Sequence, residues 1–166
     1  MDGAAEADFG EFMHSRWPQL VRLGYGLTGD EGLAEDLAQT ALARAYASWP
    51  RIRRGGDPDA YVRQIMLNSN RSRFRRRRVA EHLTGAVPEP LAEEAAGGQD
   101  DRVALIAALM SLPAGQRSMV VLRFWLDMTQ TEVAAALGCS VGNLKSQTSR
   151  ALTKLRASAE LTEERS

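Results

Sequence analysis

Hydrophobic residues recur every three or four positions along most of this chain, and nowhere do they alternate in the period of two that a half-buried strand requires. The pattern predicts helices. A first short helix is expected over residues 8–15. Trp17-Pro18 restarts the chain, because proline is accommodated in a first helical turn, and Leu20, Leu23 and Leu27 mark the buried side of the next helix. Gly29 ends it, and Asp30 caps a helix running to about Ser48, with Leu33, Leu37, Ala41 and Tyr46 available for the core. Residues 51–56 read as a basic loop. Asp57-Pro58 is a cap followed by a first-turn proline, opening a long helix that ends near Val79 or Glu81, with Tyr61, Ile65, Met66 and Phe74 toward its core.

From Thr84 to Gly98 the periodicity disappears into alanine, glycine, proline and glutamate, the composition of a flexible linker. A helix resumes over residues 102–110, and Leu112-Pro113 breaks it. The last third then carries the most specific local signals. Thr129 and Glu132 form a capping box, and Val133, Ala134, Ala136 and Leu137 lay a short apolar stripe. Gly138 suits the left-handed residue after a helix, and Ser140 can cap a second helix. That second helix turns Leu144, Ala151, Leu152 and Leu155 inward and Asn143, Lys145, Ser146, Gln147, Ser149, Arg150 and Lys154 outward. Amides, hydroxyls and cations without a carboxylate before Glu160 suit contact with phosphates and base edges. The predicted fold class is all-α: two small helical domains, over 8–80 and 101–160, the second ending in a helix-turn-helix, joined by a flexible acidic linker over 81–100.

Charge sharpens this picture. The 166 residues carry 21 basic and 21 acidic side chains, but they are segregated. Residues 1–50 hold 3 basic and 8 acidic groups, residues 51–78 hold 10 and 2, residues 79–101 hold 0 and 6, and residues 102–166 hold 8 and 5. Blocks of this kind create local fields that a net charge of zero conceals, and they suggest two nucleic-acid contacts separated by a tether of different character. Arg71, Arg73, Arg75, Arg76, Arg77 and Arg78 place six guanidiniums in eight positions with almost no local carboxylate, an arrangement suited to two-point contacts with phosphate. Asn68, Asn70 and Ser72 alternate with the first of these arginines, and Tyr61 and Phe74 flank them. Amides and aromatics there can read and stack unpaired bases.

Other chemistry is excluded or unsupported. No catalytic set is evident, His14 and His82 being far apart in sequence, so an enzyme is not expected. Cys139, the single cysteine, has neither a disulfide partner nor a neighbouring histidine for a metal site. Neither metal, cofactor nor small-molecule ligand is expected. The absence of an apolar run of 18 residues and the acidic start, MDGAAEADFG, point away from membrane or export and toward the cytoplasm. A third patch, Glu35-Asp36-Leu37-Ala38-Gln39-Thr40, is an acidic and amide helix surface suited to a protein contact.

Three segments in order, residues 17–49, 59–78 and 112–156, together make the chain resemble a sigma-70 family transcription initiation factor of the minimal extracytoplasmic-function (ECF), actinobacterial type. The resemblance implies sigma2 and sigma4 domains with no separate sigma3. It implies binding to core RNA polymerase, promoter recognition and DNA opening, with core polymerase (its β′ clamp helices and β flap) and promoter DNA as partners. An anti-sigma factor is a further partner that the family often has. Residue by residue, it places Asp36, Gln39, Thr40 and Ala43 at the clamp helices. It places Asn68 and Arg75 to Arg78 at the −10 element, where the residue types add Tyr61, Asn70, Arg71 and Arg73, and Ser140, Val141, Asn143, Lys145, Ser146, Gln147, Ser149 and Arg150 at the −35 element. Many relatives have Asp at the position of Ser72, and Thr-Val where this chain has Asn143-Leu144. The acidic linker resembles the family's tether through the polymerase's RNA-exit channel, and shielding of the basic surfaces in the free protein is a second use for it. The competing reading is a stand-alone helix-turn-helix regulator that binds duplex DNA without polymerase, usually as a symmetric dimer; it leaves residues 17–78 unexplained. An RNA-binding protein using the arginine run as an arm is a third.

Overall fold

The computed structural model describes residues 2–85 and 100–165, and every regular element among them is helical. The chain divides into two compact units, Met1–Arg73 and Phe74–Ser166. The expected linker lies outside the described residues except at its ends.

The first unit begins with α1 (Gly3–Thr28), capped by the Asp2 carboxylate, which accepts from the Ala5 N–H at 2.8 Å. The helix runs on through Pro18, where the sequence predicts a break. An interior proline removes one backbone hydrogen bond and costs about 3 kcal/mol, so something must hold the N-terminal half in line. Aromatic packing does so. Phe9 meets Tyr46 and Trp49 edge-on at ring separations of 5.1 and 5.2 Å, and Phe12 lies 5.0 Å from Trp49. The Asp8 carboxylate accepts from the Trp49 indole N–H and from Arg53, both at 3.1 Å. Tyr46 is therefore not a core residue: it is 40 % exposed, and its hydroxyl donates to Glu6, whose negative charge holds the phenol pKa above its ordinary value.

Gly29, with φ of 70°, closes α1, and Asp30 accepts from the Leu33 N–H to open α2 (Glu31–Ala47), as the sequence predicts. The Thr28 hydroxyl donates to the Gly24 carbonyl at 2.8 Å and accepts from the Asp30 N–H, fixing the corner. The two helices pack through small residues. A Cβ on Gly24 would lie 2.8 Å from Ala34 Cα and 2.9 Å from its carbonyl oxygen, and Ala34, Ala38, Ala41 and Ala45 are all fully buried.

Residues 51–56 are not the expected loop. Trp49–Gly55 forms α3, with Pro50 in its first turn and Trp49 and Ile52 buried; these two apolar side chains fold a charged segment into a helix. Asp57 caps α4 (Pro58–Thr84) through the Ala60 N–H. The core face of α4 is Val62, Met66 and Leu67, whereas Tyr61, Ile65 and Phe74 are only half-buried. Arg16 joins α1 to the start of α4 through Asp59 at 2.6 Å, and that carboxylate raises the guanidinium's pKa. The helix continues to Thr84, past the expected end, and Gly85 follows with φ of 66°.

The second unit contains α5 (Asp100–Met110), α6 (Ala114–Val120), a π-helical turn at Val121–Trp125, α7 (Gln130–Leu137) and α8 (Val141–Arg165). Arg117 is its buried cation, 9 % exposed, and its guanidinium donates to the carbonyls of Leu109, Met110 and Leu112. These carbonyls lie at and just past the end of α5, where helical donors run out; the Leu109 carbonyl also accepts from the Leu112 N–H at 3.1 Å. After the π turn, Asp127 sits at φ of 52° while the Met128 N–H reaches back to the Leu122 carbonyl, a helix-stop geometry without its usual glycine. The helix-turn-helix signals hold. Thr129 and Glu132 form the capping box, Gly138 takes the left-handed position, and Ser140 accepts from the Asn143 N–H at 3.0 Å.

Gly24→Ala is expected to lower stability by about 1–3 kcal/mol, because a backbone atom rather than a movable side chain blocks the new methyl. Thermal melting of the purified variant checks it, and an unchanged midpoint would mean that α1 and α2 approach less closely than 2.8 Å implies.

Candidate nucleic-acid interface

The outer face of α2 is the simplest of the candidate surfaces. Once Ala34, Leu37, Ala38, Ala41, Leu42 and Ala45 are turned inward, the 3.6-residue period leaves Asp36, Gln39, Thr40 and Ala43 outside, and all four are exposed. The patch offers a carboxylate, an amide and a hydroxyl around a methyl, suited to a basic and polar protein surface.

On α4, helical geometry sorts the expected residues. At about 100° per residue, Tyr61, Asn68, Arg71, Arg75 and Arg78 fall on one face, joined by Gln64. The stripe runs for about 17 residues, or about 25 Å. Asn68, Arg71, Arg75 and Arg78 are exposed, Tyr61 and Gln64 are half-buried, and the Gln64 amide N–H donates to Asn68 Oδ1 at 3.1 Å. Arg78 also lies over the Phe74 ring at 5.9 Å. Aromatic, amides and guanidiniums therefore follow one another along a single line, with the base-reading chemistry first and the phosphate-binding chemistry after it.

Four expected residues stand apart from that line. Asn70 is 7 % exposed, a core position rather than a contact surface, and its Oδ1 accepts from Arg73 at 3.4 Å. Asn68 and Asn70, two residues apart, lie on nearly opposite sides of the helix, and the packing claims the second. Arg73 is thereby drawn to the packed side. Arg77 pairs with Glu81 at 3.1 Å on another face, an i,i+4 pair. Arg76 is exposed but off the stripe.

On α8, Leu144 and Ala151 are buried, Ser146 and Ser149 lie opposite them, and Asn143 and Arg150 sit at one edge of that outward arc, all four exposed. Lys145 borders a shallow groove of about 300 Å³ with Phe124, Gln130, Leu152 and Arg156. Val141 is half-buried in the first turn, and Ser140 is used as the cap. Gln147 is half-buried on the opposite flank, where Gln116 Nε2 donates to its Oε1 at 2.9 Å. Gln116 is not among the candidates that the sequence supplies. Its signal is a glutamine at a buried position of α6, 8 % exposed.

Comparison with known proteins identifies the family. The sigma-70 region 2 family matches residues 13–79 and the sigma-70 region 4 family matches residues 102–155. The chain is 41% identical over 149 residues to the RNA polymerase sigma-E factor of Streptomyces coelicolor, covering 90% of this chain and 84% of that one. It is 33% identical to the ECF RNA polymerase sigma factor EcfG of Rhodopseudomonas palustris, covering 84% of this chain and 78% of that one. The chain belongs to the ECF sigma factors of the sigma-70 family. Among solved structures it is similar to the sigma factor RpoE of Bartonella quintana, crystallised with the anti-sigma factor NepR. That likeness has a TM-score of 0.78 at 29% identity, over 92% of this chain and 97% of that one. As an RNA polymerase sigma factor, the protein acts with core polymerase on promoter DNA. Among the described residues, no helix is long and apolar enough to cross a membrane.

Proposed function

We propose that this ECF sigma factor divides promoter recognition among three helical faces. The outer face of α2 (Asp36, Gln39, Thr40 and Ala43) binds the β′ clamp helices of core polymerase. The α4 stripe captures the −10 element, and the outward arc of α8 reads the −35 element as duplex in the major groove, the mode of a recognition helix. The observation that carries this reading is the single line of Tyr61, Gln64, Asn68, Arg71, Arg75 and Arg78 on α4. Extruding a base costs a few kcal/mol, and stacking on protein returns about 1–3 kcal/mol per base. Capture beside Tyr61 and Asn68 roughly offsets opening, and phosphate contacts from the guanidiniums beyond tip the balance. The bond-forming chemistry belongs to the polymerase, so the protein is not itself an enzyme and works where the polymerase does, in the cytoplasm.

The two domains of this reading span 8–80 and 101–160. The 81–100 segment, with Glu81, Glu89, Glu93, Glu94 and Asp100, serves as the tether between them, followed directly by Asp101, and the β flap contacts the sigma4 domain. Control by an anti-sigma factor fits the relatives: RpoE was crystallised with NepR, and CnrH with the cytosolic domain of CnrY.

Asp36→Ala with Gln39→Ala is expected to weaken binding to core polymerase about tenfold or more without lowering the melting temperature, since both side chains are exposed. Fluorescence titration of labelled protein with core polymerase measures it; unchanged affinity would remove α2 from the interface. Replacing Arg71, Arg75 and Arg78 by alanine is expected to flatten the salt dependence of holoenzyme binding to promoter DNA by about two to three in log–log slope. The same change at Arg73 and Arg77 is expected to flatten it less per arginine removed, and equal effects per arginine would show that the stripe has no special role.

A further inference from the structure

Lys154, Gln116 and Gln147 form a hydrogen-bonded chain whose direction is fixed by chemistry. The Lys154 ammonium is a donor only, so the Gln116 carbonyl oxygen must face it, at 3.4 Å. The Gln116 amide nitrogen is then left to donate to Gln147 Oε1, at 2.9 Å. That in turn commits the Gln147 oxygen to the protein and leaves its NH2 group as the end presented outward. Gln116 is 8 % exposed and Gln147 half-buried, so neither amide turns without breaking this chain.

The angular position of Gln147 states what it meets. The buried line of α8 centres on Leu144 and Ala151, and Ser146 and Ser149 lie opposite it, where a base edge would be. Gln147 stands about 100–160° round from those serines, on the side of α6 and on one ridge with Asn143, Arg150 and Lys154. A side chain at the margin of a helix lying in a groove faces the wall, which is phosphate, rather than the floor, which is bases. With Gln147 presented through its NH2 group, the whole ridge offers N–H donors.

We propose that Gln116 is a positioning residue for DNA binding: by holding Gln147 Oε1 it aims the Gln147 NH2 group at a backbone phosphate of the −35 duplex. This rests on the reading of α8 as the duplex-reading helix. Gln116→Glu tests it, because a carboxylate accepts where the native amide donates. Gln147 would then turn its NH2 inward to the new carboxylate and present its oxygen to the phosphate.

The experiment measures holoenzyme, assembled from core polymerase and the full-length protein, binding to promoter fragments with native and base-substituted −35 elements. Gln116→Glu is expected to weaken binding about tenfold, the scale of one lost hydrogen bond to a charged group. The loss is expected to be equal for every −35 sequence, since phosphate carries no base information. Gln147→Ala is expected to give a similar uniform loss, and Gln116→Glu added to Gln147→Ala to cost nothing further. A loss that persists undiminished in the Gln147→Ala background would overturn the proposal, because the new charge or altered packing would then be acting directly. A loss confined to particular base pairs would overturn it in favour of base reading. Gln116→Leu, which leaves the Gln147 amide free to turn, supplies the same cycle with an expected loss of about two- to threefold should the charged variant fail to fold. If wild-type holoenzyme shows no dependence on the −35 element, the reading of α8 itself fails.

Discussion

The approach of α1 to α2 at Gly24 and Ala34 is the constraint on which the first unit depends. Helices brought so close can bury only small side chains between them, and the sequence supplies Ala34, Ala38, Ala41 and Ala45 at the required spacing. This arrangement fixes the rotation of α2 about its axis. Turning α2 on its axis would bring polar side chains such as Glu35 into a space that admits only a methyl, leaving a buried polar group without room for a partner. The outward face is therefore a consequence of the packing, and it is preserved only while the packing is. Holding α1 continuous through Pro18 belongs to the same arrangement. The aromatic cluster of Phe9, Phe12, Tyr46 and Trp49 grips the far ends of the helices, while the glycine–alanine contact sets their separation near the turn.

The second unit is governed by hydrogen-bond direction more than by size. Arg117 turns its guanidinium onto backbone carbonyls at the α5–α6 corner, so a buried cation closes a helix end. Polar atoms at a helix end cannot be left without partners in a unit this small. Gln116, its neighbour in sequence, points to α8 instead and ties α6 to Gln147 and Lys154. Consecutive residues on α6 thus do separate tasks, one closing the α5 end and one bonding to α8. The π-helical turn that follows ends in a left-handed Asp127, and the chain then enters α7 through the capping box.

Much of this was legible in the chain because the signals were local. Asp30, Asp57, Thr129, Gly138 and Ser140 each act within three or four residues of themselves, and the structure uses each as its chemistry suggests. What escaped depended on contacts distant in sequence. Pro18 reads as a break until Phe9 and Phe12 are seen against Trp49, and Arg51-Ile52-Arg53-Arg54 reads as a loop until Trp49 and Ile52 are buried. Asn70 and Gln147 escaped for a related reason: an amide is at home on a surface or inside, and only its partners (Arg73 and Gln116) distinguish the two. For the site as a whole, residue types announce phosphate and base chemistry, and helical geometry decides which of them share a face.

The central claim is that these faces act together, directing core polymerase to promoters rather than binding DNA alone. Transcription by core polymerase with the purified protein, on a pool of genomic promoter fragments with every start mapped, tests it most directly. The account predicts discrete starts that appear only when protein and polymerase are both present, each preceded by two shared sequence elements at constant spacing. Starts no different from those of core polymerase alone, beside tight two-fold-symmetric binding of the free protein to duplex DNA, would contradict it.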